Sequence, residues 1–160
     1  MANSKSLLSV IGLALAGTFT LPSCSAEGTD KHQNVAAEIF FADPTIYAEN
    51  GKFYLTGTRN REPLGFALLE SDNLQTWQYA RPDSMIMCAG PHTFGTMGFW
   101  APQILKYNDE YYMAYTANEQ TALAKTDSVN GEYRQAVLAP IDGSEKNIDP
   151  FLFQDDDGKW

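Results

Sequence analysis

The 160-residue sequence has no basic cluster, only two cysteines and no convincing helical periodicity. Its 20 acidic residues outnumber 11 basic residues, which gives a net charge of -9. This balance argues against nucleic acid and acidic substrates as partners. Because helical periodicity is missing, the short apolar runs after Glu38 favour an all-β fold. Aromatic residues make up 12% of the chain, which suits a sheet-rich protein or a sugar-binding surface equally well.

Long hydrophobic runs are also absent, apart from one near the N-terminus. Residues 7–19 are mainly apolar and follow Lys5, a layout that is typical of a secretory signal and too short for a membrane span. We therefore predict a signal peptide over 1–23 and a flexible tether over 24–37. The exported protein is expected in the periplasm, or at the outer membrane or cell surface.

Cys24 closes the predicted signal in the manner of a bacterial lipobox, although Pro22 is unusual in that pattern. This predicts lipidation of Cys24 and contact with a membrane only through the lipid anchor. A disulfide between Cys24 and Cys88 is the alternative in an oxidising compartment. If Cys24 is lipidated, Cys88 is most simply a buried apolar residue.

Turn residues divide the chain from residue 38 onward into short strand-like runs. Asn50-Gly51 predicts a hairpin between strands over 44–48 and 52–58, and runs over 65–71 and 76–79 complete a four-stranded meander. The same order recurs after Pro102, where Tyr133 takes the place of Trp77, and a third copy begins at Pro150. The repeat length is roughly fifty residues, typical of a β-propeller blade whose first strand lines the central channel.

The repeats predict blade one over 38–98, blade two over 99–147 and the start of blade three over 148–160. A propeller protects its strand edges by closing into a ring. With two and a fraction blades, the sequence looks cut, and we expect residues 24–160 by themselves to be poorly soluble or to unfold non-cooperatively.

The residues before the three repeated prolines are Asp43, Ala101 and Asp149. Proline disfavours the helical region for the residue before it, so we expect Asp43 to be extended at the mouth of a strand. Two of three blade openings thus present a carboxylate close to the axis. Glycoside hydrolysis needs such a pair, one to activate a nucleophile and one to donate a proton.

These openings resemble glycoside hydrolase family 43, the five-bladed β-propellers that include β-xylosidases, α-L-arabinofuranosidases and arabinanases. The matching segments are Ala42-Asp43-Pro44, Phe99-Trp100-Ala101-Pro102, Ile148-Asp149-Pro150 and the turn Ser71-Asp72-Asn73-Leu74-Gln75-Thr76-Trp77. The resemblance implies an inverting glycosidase that cleaves xylosyl or arabinosyl linkages in plant oligosaccharides or polysaccharides and requires no cofactor. A structural calcium in the complete propeller is an open alternative, but no residue is assigned to a metal.

The resemblance also implies the roles of individual residues. Asp43 is the general base that deprotonates the attacking water, and Asp149 is a third carboxylate that orients the general acid and raises its pKa. Trp100 borders a sugar-binding subsite, and Phe41 adds to the same wall.

The family's general acid has no matching position in this sequence. Glu119 and Glu132 fall in predicted strands of blade two, so neither is assigned as the general acid. General acid catalysis is worth about a hundredfold to ten-thousandfold. We therefore expect the 160-residue chain alone to be inactive.

Three further features rank lower. His92 lies on the long loop before Trp100 and either binds substrate at the pocket mouth or packs the loop. The segment Arg59-Asn60-Arg61 either binds a sugar hydroxyl or is solvated, and solvation is favoured. The segment 155–158 is read as a hairpin turn, because no glutamate follows at the spacing of a calcium loop.

The competing function is a non-catalytic propeller that binds glycans, which would not need both Asp43 and Asp149. Fructan-hydrolysing propellers are disfavoured, because they show Asn-Asp-Pro-Asn-Gly where this chain has Ala42-Asp43-Pro44-Thr45. The sequence indicates no oligomeric state.

Overall fold

The computed structural model describes residues 39–160, which form nine β-strands and no helix. The strands are β1 (Ala42–Glu49), β2 (Lys52–Thr58), β3 (Gly65–Ala67), β4 (Leu69–Ser71), β5 (Gln78–Tyr79), β6 (Met85–Cys88), β7 (Trp100–Tyr107), β8 (Glu110–Ala117) and β9 (Gln120–Thr126). The all-β prediction is therefore confirmed. Nothing in this part of the chain has the length and apolarity of a membrane-crossing helix. The predicted signal peptide, the tether and Cys24 lie outside the described residues.

Two antiparallel sheets correspond to the predicted blades. Blade one has the strand order β1-β2-β4-β5, and blade two has the order β7-β8-β9. A single bridge between Lys125 and Arg134 takes the place of a fourth strand in blade two.

Tight hairpin turns set the register of both blades. Asn50 and Gly51 have φ values of 53° and 77°, and Asn108 and Asp109 have values of 49° and 63°. Positive φ at both central residues is the type I′ geometry, whose twist matches that of the flanking strands. The predicted hairpin at Asn50-Gly51 is confirmed.

The pairing of residues is equivalent in the two blades. Phe53 faces Ser71 in blade one, and Tyr111 faces Thr126 in blade two. Both first strands also contain a register shift next to their proline, at residues 42–45 in β1 and 100–103 in β7. The repeat that is visible in the sequence is therefore a repeat of strand pairing as well.

The predicted third strand over 65–71 is not continuous, and this expectation was wrong in detail. It breaks at Leu68, whose N–H donates to the Ser84 carbonyl (3.1 Å) and whose carbonyl accepts from the Ala80 N–H (3.0 Å). The Ala80 bond continues the β4–β5 register, and the Ser84 bond continues the β3–β6 register, so the chain passes from one sheet to the other at Leu68. The first half, β3, pairs instead with β6 in a separate two-stranded sheet.

A network of side-chain hydrogen bonds shapes the turn at residues 71–77. The Asn73 Oδ1 atom accepts from the N–H groups of Gln75 (2.8 Å) and Thr76 (2.9 Å), and the Ser71 hydroxyl accepts from the Leu74 N–H (2.9 Å). The Trp77 indole donates to the Leu74 carbonyl at 3.3 Å. Asn and Ser side chains stabilise such turns by bonding to nearby backbone.

The larger apolar core joins the two blades. It includes Phe66 of β3, Phe99 just before β7 and Tyr115 of β8, with 0%, 3% and 0% exposure. Phe99 and Tyr115 stack at 5.9 Å between ring centroids, and Phe66 meets Tyr115 edge-on at 5.7 Å. Burying a side chain of this size stabilises the fold by about 1.5–3 kcal/mol. The interface between the blades is therefore a substantial part of the hydrophobic core.

The third repeat begins as predicted in sequence order but forms no assigned strand within the described residues. Gln103 of β7 holds it through two bonds to Leu152: its Nε2 donates to the Leu152 carbonyl, and its Oε1 accepts from the Leu152 N–H (3.2 and 2.5 Å). The turn predicted over 155–158 is present, with the Gly158 N–H donating to the Asp155 carbonyl at 2.9 Å.

Candidate active site

The three residues before the repeated prolines share one unusual backbone conformation. Asp43, Ala101 and Asp149 have φ values of 46°, 45° and 57°. The expectation that Asp43 is extended was therefore wrong. In β1 and β7 the register shift inserts an irregularity at this point, and such bulges admit left-handed residues that re-aim a side chain. Left-handed residues other than glycine are uncommon and cluster at functional sites.

Threonines near the ends of β2 and β8 accept hydrogen bonds from the backbone of the following blade. The Ala101 N–H donates to the Thr58 hydroxyl at 2.9 Å, and the Asp149 N–H donates to the Thr116 hydroxyl at 3.0 Å. Both threonines are buried, with 3% and 0% exposure. Each blade opening is thus fixed by the second strand of the blade before it.

The two carboxylates lie at the same end of the blades. The Thr58 hydroxyl also donates to Asp43 Oδ2 at 2.7 Å. Trp100, next to Ala101, pairs with Thr116 in the β7–β8 ladder. A series of bonded or paired residues therefore connects Asp43, through Thr58 and the start of β7, to Thr116 and Asp149.

Asp43 and Asp149 are both exposed to solvent. Within residues 39–160, the Oδ1 atom of Asp43 and both carboxylate oxygens of Asp149 have no hydrogen-bond partner. One oxygen of Asp43 is thus held, and the other is open to a water molecule. This is a suitable arrangement for a general base, which must reach the proton that it removes.

Trp100 lies beside this end of the blades, next to Ala101. Its indole N–H donates to Asn60 Oδ1 at 3.0 Å, and its ring lies so close to Gly98 that a Cβ there would meet ring atoms at 3.1–3.3 Å. Gly98 has a φ of 65°. Asn60 and Gly98 therefore both restrict the position of the Trp100 ring, at the start of β7.

Phe41 occupies a different environment from Trp100. It packs against the smaller apolar cluster of Leu55, Leu69 and Trp77, and its Cβ would lie 2.6 Å from a Cβ on Gly57. It also lines a cavity of about 200 Å³ together with Arg59 and Arg61.

Arg59 is half-buried, which corrects the expectation that it is solvated. Its Nη1 donates to the Pro63 carbonyl at 3.3 Å and contacts Met85 Sδ, while its Nε is buried with no partner in the described part of the chain. Burial, and to a smaller extent the charge of Arg61, lowers the pKa of Arg59. Arg61 is exposed, and Asn60 is engaged by Trp100.

His92 is not brought to the blade openings. It is exposed and lines a separate cavity of about 380 Å³ whose lining includes Arg81 and Glu132. Its carbonyl accepts from the Gln135 N–H at 3.2 Å. We therefore leave His92 out of the candidate site.

Glu119 and Glu132 lie outside the strands, contrary to their predicted placement. Glu119 is the second residue of the β8–β9 turn and pairs with Lys146 at 3.0 Å, and Glu132 pairs with Arg134 at 2.7 Å. Both carboxylates are thus engaged in exposed ion pairs with basic side chains. Among residues 39–160, no group of three or more His, Cys, Asp or Glu side chains is arranged to hold a metal ion.

Sequence reasoning missed Thr58 and the contact made by Asn60. The repeat contained a signal for the threonine, because Thr58 and Thr116 occupy equivalent places after the aligned segments Tyr54-Leu55 and Tyr112-Met113. The bond between Asn60 and Trp100 spans 40 residues and has no counterpart in the repeat.

Comparisons with known proteins agree with this fold. Residues 32–160 match glycosyl hydrolases family 43. The chain is similar to the crystal structure of an endo-1,4-beta-xylanase from Bacteroides thetaiotaomicron, at 37% identity and a TM-score of 0.67, covering 74% of this chain and 40% of that one. A thermostable family-43 glycoside hydrolase is 30% identical, with a TM-score of 0.64 and coverage of 72% and 38%.

An endo-arabinase from Bacteroides thetaiotaomicron is also similar, at 26% identity and a TM-score of 0.66, covering 78% of this chain and 44% of that one. The chain thus spans about two fifths of the length of these structures. No curated protein matches it. The two blades and the opening of a third correspond to part of the five-bladed propeller fold that these enzymes have. The chain belongs to glycosyl hydrolases family 43.

Proposed function

We propose that the protein is an inverting glycoside hydrolase in which Asp43 is the general base. The observation that carries this proposal is the state of the Asp43 carboxylate. One oxygen is held at 2.7 Å by the buried Thr58 hydroxyl, and the other is open to solvent at a blade opening. Membership of glycosyl hydrolases family 43 gives the reaction class.

In the proposed reaction, the open Asp43 oxygen accepts a proton from water as the water oxygen attacks the anomeric carbon. The bond from that carbon to the leaving oxygen breaks, and the leaving oxygen takes a proton from a general acid. Attack from the face opposite the leaving group inverts the anomeric configuration. Trp100 supplies an apolar wall for a sugar ring, since its indole is fixed by Asn60.

Asp149 is proposed as the carboxylate that orients the general acid. Its backbone is fixed by Thr116, and its side chain is unengaged in the described residues. Like charges held close favour the protonated form of one partner, which is how an acid retains its proton near neutral pH. Because no residue of this chain matches the general acid, we expect the 160-residue chain alone to show no hydrolysis.

The substrate class is proposed from the most similar structures. Their names give an endo-1,4-beta-xylanase and an endo-arabinase. We therefore propose xylosyl or arabinosyl linkages in plant polysaccharides or oligosaccharides as the substrate, without choosing between them. Trp100 and Asn60 supply an aromatic ring and a neutral polar group at this end of the blades, which suits a neutral sugar.

Export through the predicted signal completes the proposal and rests on the sequence, as do the two alternatives for Cys24, which are lipidation or a disulfide with Cys88. The predicted location is the periplasm, or the outer membrane or cell surface. Mass spectrometry of the mature N-terminus tests this directly, because an unmodified peptide running through Cys24 would contradict lipidation.

The test of function is the Asp43→Asn variant of the protein expressed from its complete open reading frame. Loss of the base is expected to lower kcat on aryl xylosides or arabinofuranosides by about a hundredfold to ten-thousandfold. Asp72→Asn is the matched control, since Asp72 lies on an exposed turn 3.6 Å from Lys52. Equal activity of the Asp43 and Asp72 variants would refute the base assignment.

The same assay separates the enzyme from the non-catalytic alternative. A wild-type protein that binds xylo- or arabino-oligosaccharides but releases no reducing sugar would support a glycan-binding propeller instead.

A further inference from the structure

The hydroxyl of Thr58 makes two hydrogen bonds, one as acceptor and one as donor. It accepts from the Ala101 N–H at 2.9 Å and donates to Asp43 Oδ2 at 2.7 Å. A hydroxyl carries a single proton, and a backbone N–H has no lone pair to receive it. The bond with Ala101 therefore leaves the Thr58 proton to Asp43, which fixes the direction of that bond. With 3% exposure, Thr58 has little access to competing water.

In blade two, the equivalent threonine makes only one of these two hydrogen bonds within residues 39–160. Thr116 accepts the Asp149 N–H at 3.0 Å, just as Thr58 accepts the Ala101 N–H. The pre-proline residue of blade two, however, is Ala101 and offers no carboxylate. The hydrogen bond that the threonine hydroxyl accepts is thus common to both blades and holds the next blade in place. The hydrogen bond that the hydroxyl donates to a carboxylate occurs only where the pre-proline residue is acidic.

We propose that Thr58 is a positioning residue for Asp43, an inference that rests on the proposed function. It sets the carboxylate through Oδ2 and leaves Oδ1 for the attacking water. Because the same hydroxyl is tied to the backbone of β7, the orientation of Asp43 depends on blade two being docked against blade one. The site is therefore assembled by contact between the blades and not by β1 alone.

The test uses the protein expressed from its complete open reading frame and compares Thr58→Val, which keeps the shape and removes the hydroxyl, with Thr58→Ser, which keeps the hydroxyl. Displacement of a reacting group by about 1 Å costs roughly a hundredfold in rate. We expect Thr58→Val to lower kcat by roughly tenfold to a hundredfold with KM nearly unchanged, and Thr58→Ser to retain most of the wild-type kcat. If Thr58→Val does not fold, Thr58→Ala replaces it.

Thr56→Val is the matched control. Thr56 lies two residues earlier on β2, is fully buried and has a hydroxyl with no partner in the described residues. Its replacement removes a buried hydroxyl without touching Asp43, so kcat is expected to remain at the wild-type value. A Thr58→Val protein with the same kcat as Thr56→Val would overturn the inference.

Two measurements keep this inference distinct from the proposed function. In the Asp43→Asn background, Thr58→Val is expected to cause no further loss of kcat, whereas a merely structural role would give an additional loss. In crystal structures, the Asp43 carboxylate is expected to turn away in Thr58→Val and to stay in place in Thr58→Ser. An unmoved Asp43 in Thr58→Val would overturn the positioning role, whatever the activity of Asp43→Asn. Full activity of Asp43→Asn would overturn the proposed function. The crystal structures of the Thr58 variants would then still decide whether Thr58 positions Asp43.

Discussion

Glu49 at the end of β1 and Lys106 in β7 form an ion pair of 2.7 Å that joins the first strands of the two blades. Tyr111 of β8 donates a second hydrogen bond to the same carboxylate. Glu49 is only 18% exposed at its side chain. These bonds, with Lys106 contributing most and Tyr111 next, lower the pKa of Glu49 below its ordinary value of 4.5.

This pair predicts a pH-dependent part of the stability. A carboxyl whose folded pKa is lowered stabilises the fold above its ordinary pKa, and the contribution is lost as pH falls through the folded pKa. We expect the wild type to melt above Glu49→Gln at neutral pH, and the difference in Tm to shrink as the pH is lowered below 4.5. Thermal melts across that range, on the protein expressed from its complete open reading frame, measure this difference, and the stability tests below use the same protein. The exposed Glu145 supplies the control, Glu145→Gln, and a Tm difference for Glu49→Gln that is independent of pH would contradict the assignment.

The first hairpin turn depends on backbone conformation alone. Gly51 has a φ of 77°, and a Cβ at this position would meet nothing within 4 Å. Gly51→Ala is therefore expected to destabilise the protein by about 1–2 kcal/mol, the cost of a left-handed residue other than glycine. Gly143 is equally open but lies outside the left-handed region. Gly143→Ala should be neutral or stabilising by up to about 1 kcal/mol, and denaturant melts giving both variants the same stability would contradict this account.

The turn at residues 71–77 predicts a loss that is specific to one amide. Asn73 Oδ1 accepts from two backbone N–H groups, an arrangement comparable to a helix cap, whose removal costs about 1 kcal/mol. Asn73→Ala is expected to be destabilised by roughly 1–2 kcal/mol, while Gln75→Ala at an exposed position with no side-chain bond in the described residues should change stability little. Equal losses in denaturant melts would show that the Asn73 bonds contribute nothing.

The blade-two opening provides a test of backbone strain without catalysis. Ala101 has a φ of 45°, which costs an alanine about 1–2 kcal/mol and a glycine much less. Ala101→Gly is therefore expected to be as stable as the wild type or more stable by up to about 1 kcal/mol, after the entropy of glycine in the unfolded chain is subtracted. Ala124→Gly in the middle of β9 should lose about 1 kcal/mol or more. A larger loss for Ala101→Gly than for Ala124→Gly in thermal melts would contradict the strain.

The sequence predicted most of the strands because their signals are local. The Asn50-Gly51 turn and the repeated prolines define β1, β2 and β7 through chain geometry that acts over a few residues. The repeat then aligned Tyr133 with Trp77, and both side chains donate to a carbonyl three or four residues earlier, at Val129 and Leu74.

Features that depend on distant partners were not predicted. The break at Leu68 arises because residues 65–67 pair with β6 whereas residues 69–71 pair with β2 and β5, and no local pattern predicts this change of partner. Proline preferences predicted an extended Asp43, but the bulge in β1 and the bond from Thr58 hold it at positive φ. Local preferences were outweighed here by contacts between strands that are far apart in sequence.

Asp43, Ala101 and Asp149 share one backbone conformation, although only two of them carry a charged side chain. Ala101 adopts this conformation without a carboxylate, so the backbone of a blade opening can take this shape without an acidic side chain. A single codon change from alanine to aspartate would therefore add a negative charge to blade two on a backbone already shaped to present it. The number of acidic groups around the ring can then diverge among propellers of this kind without altering how the blades fold.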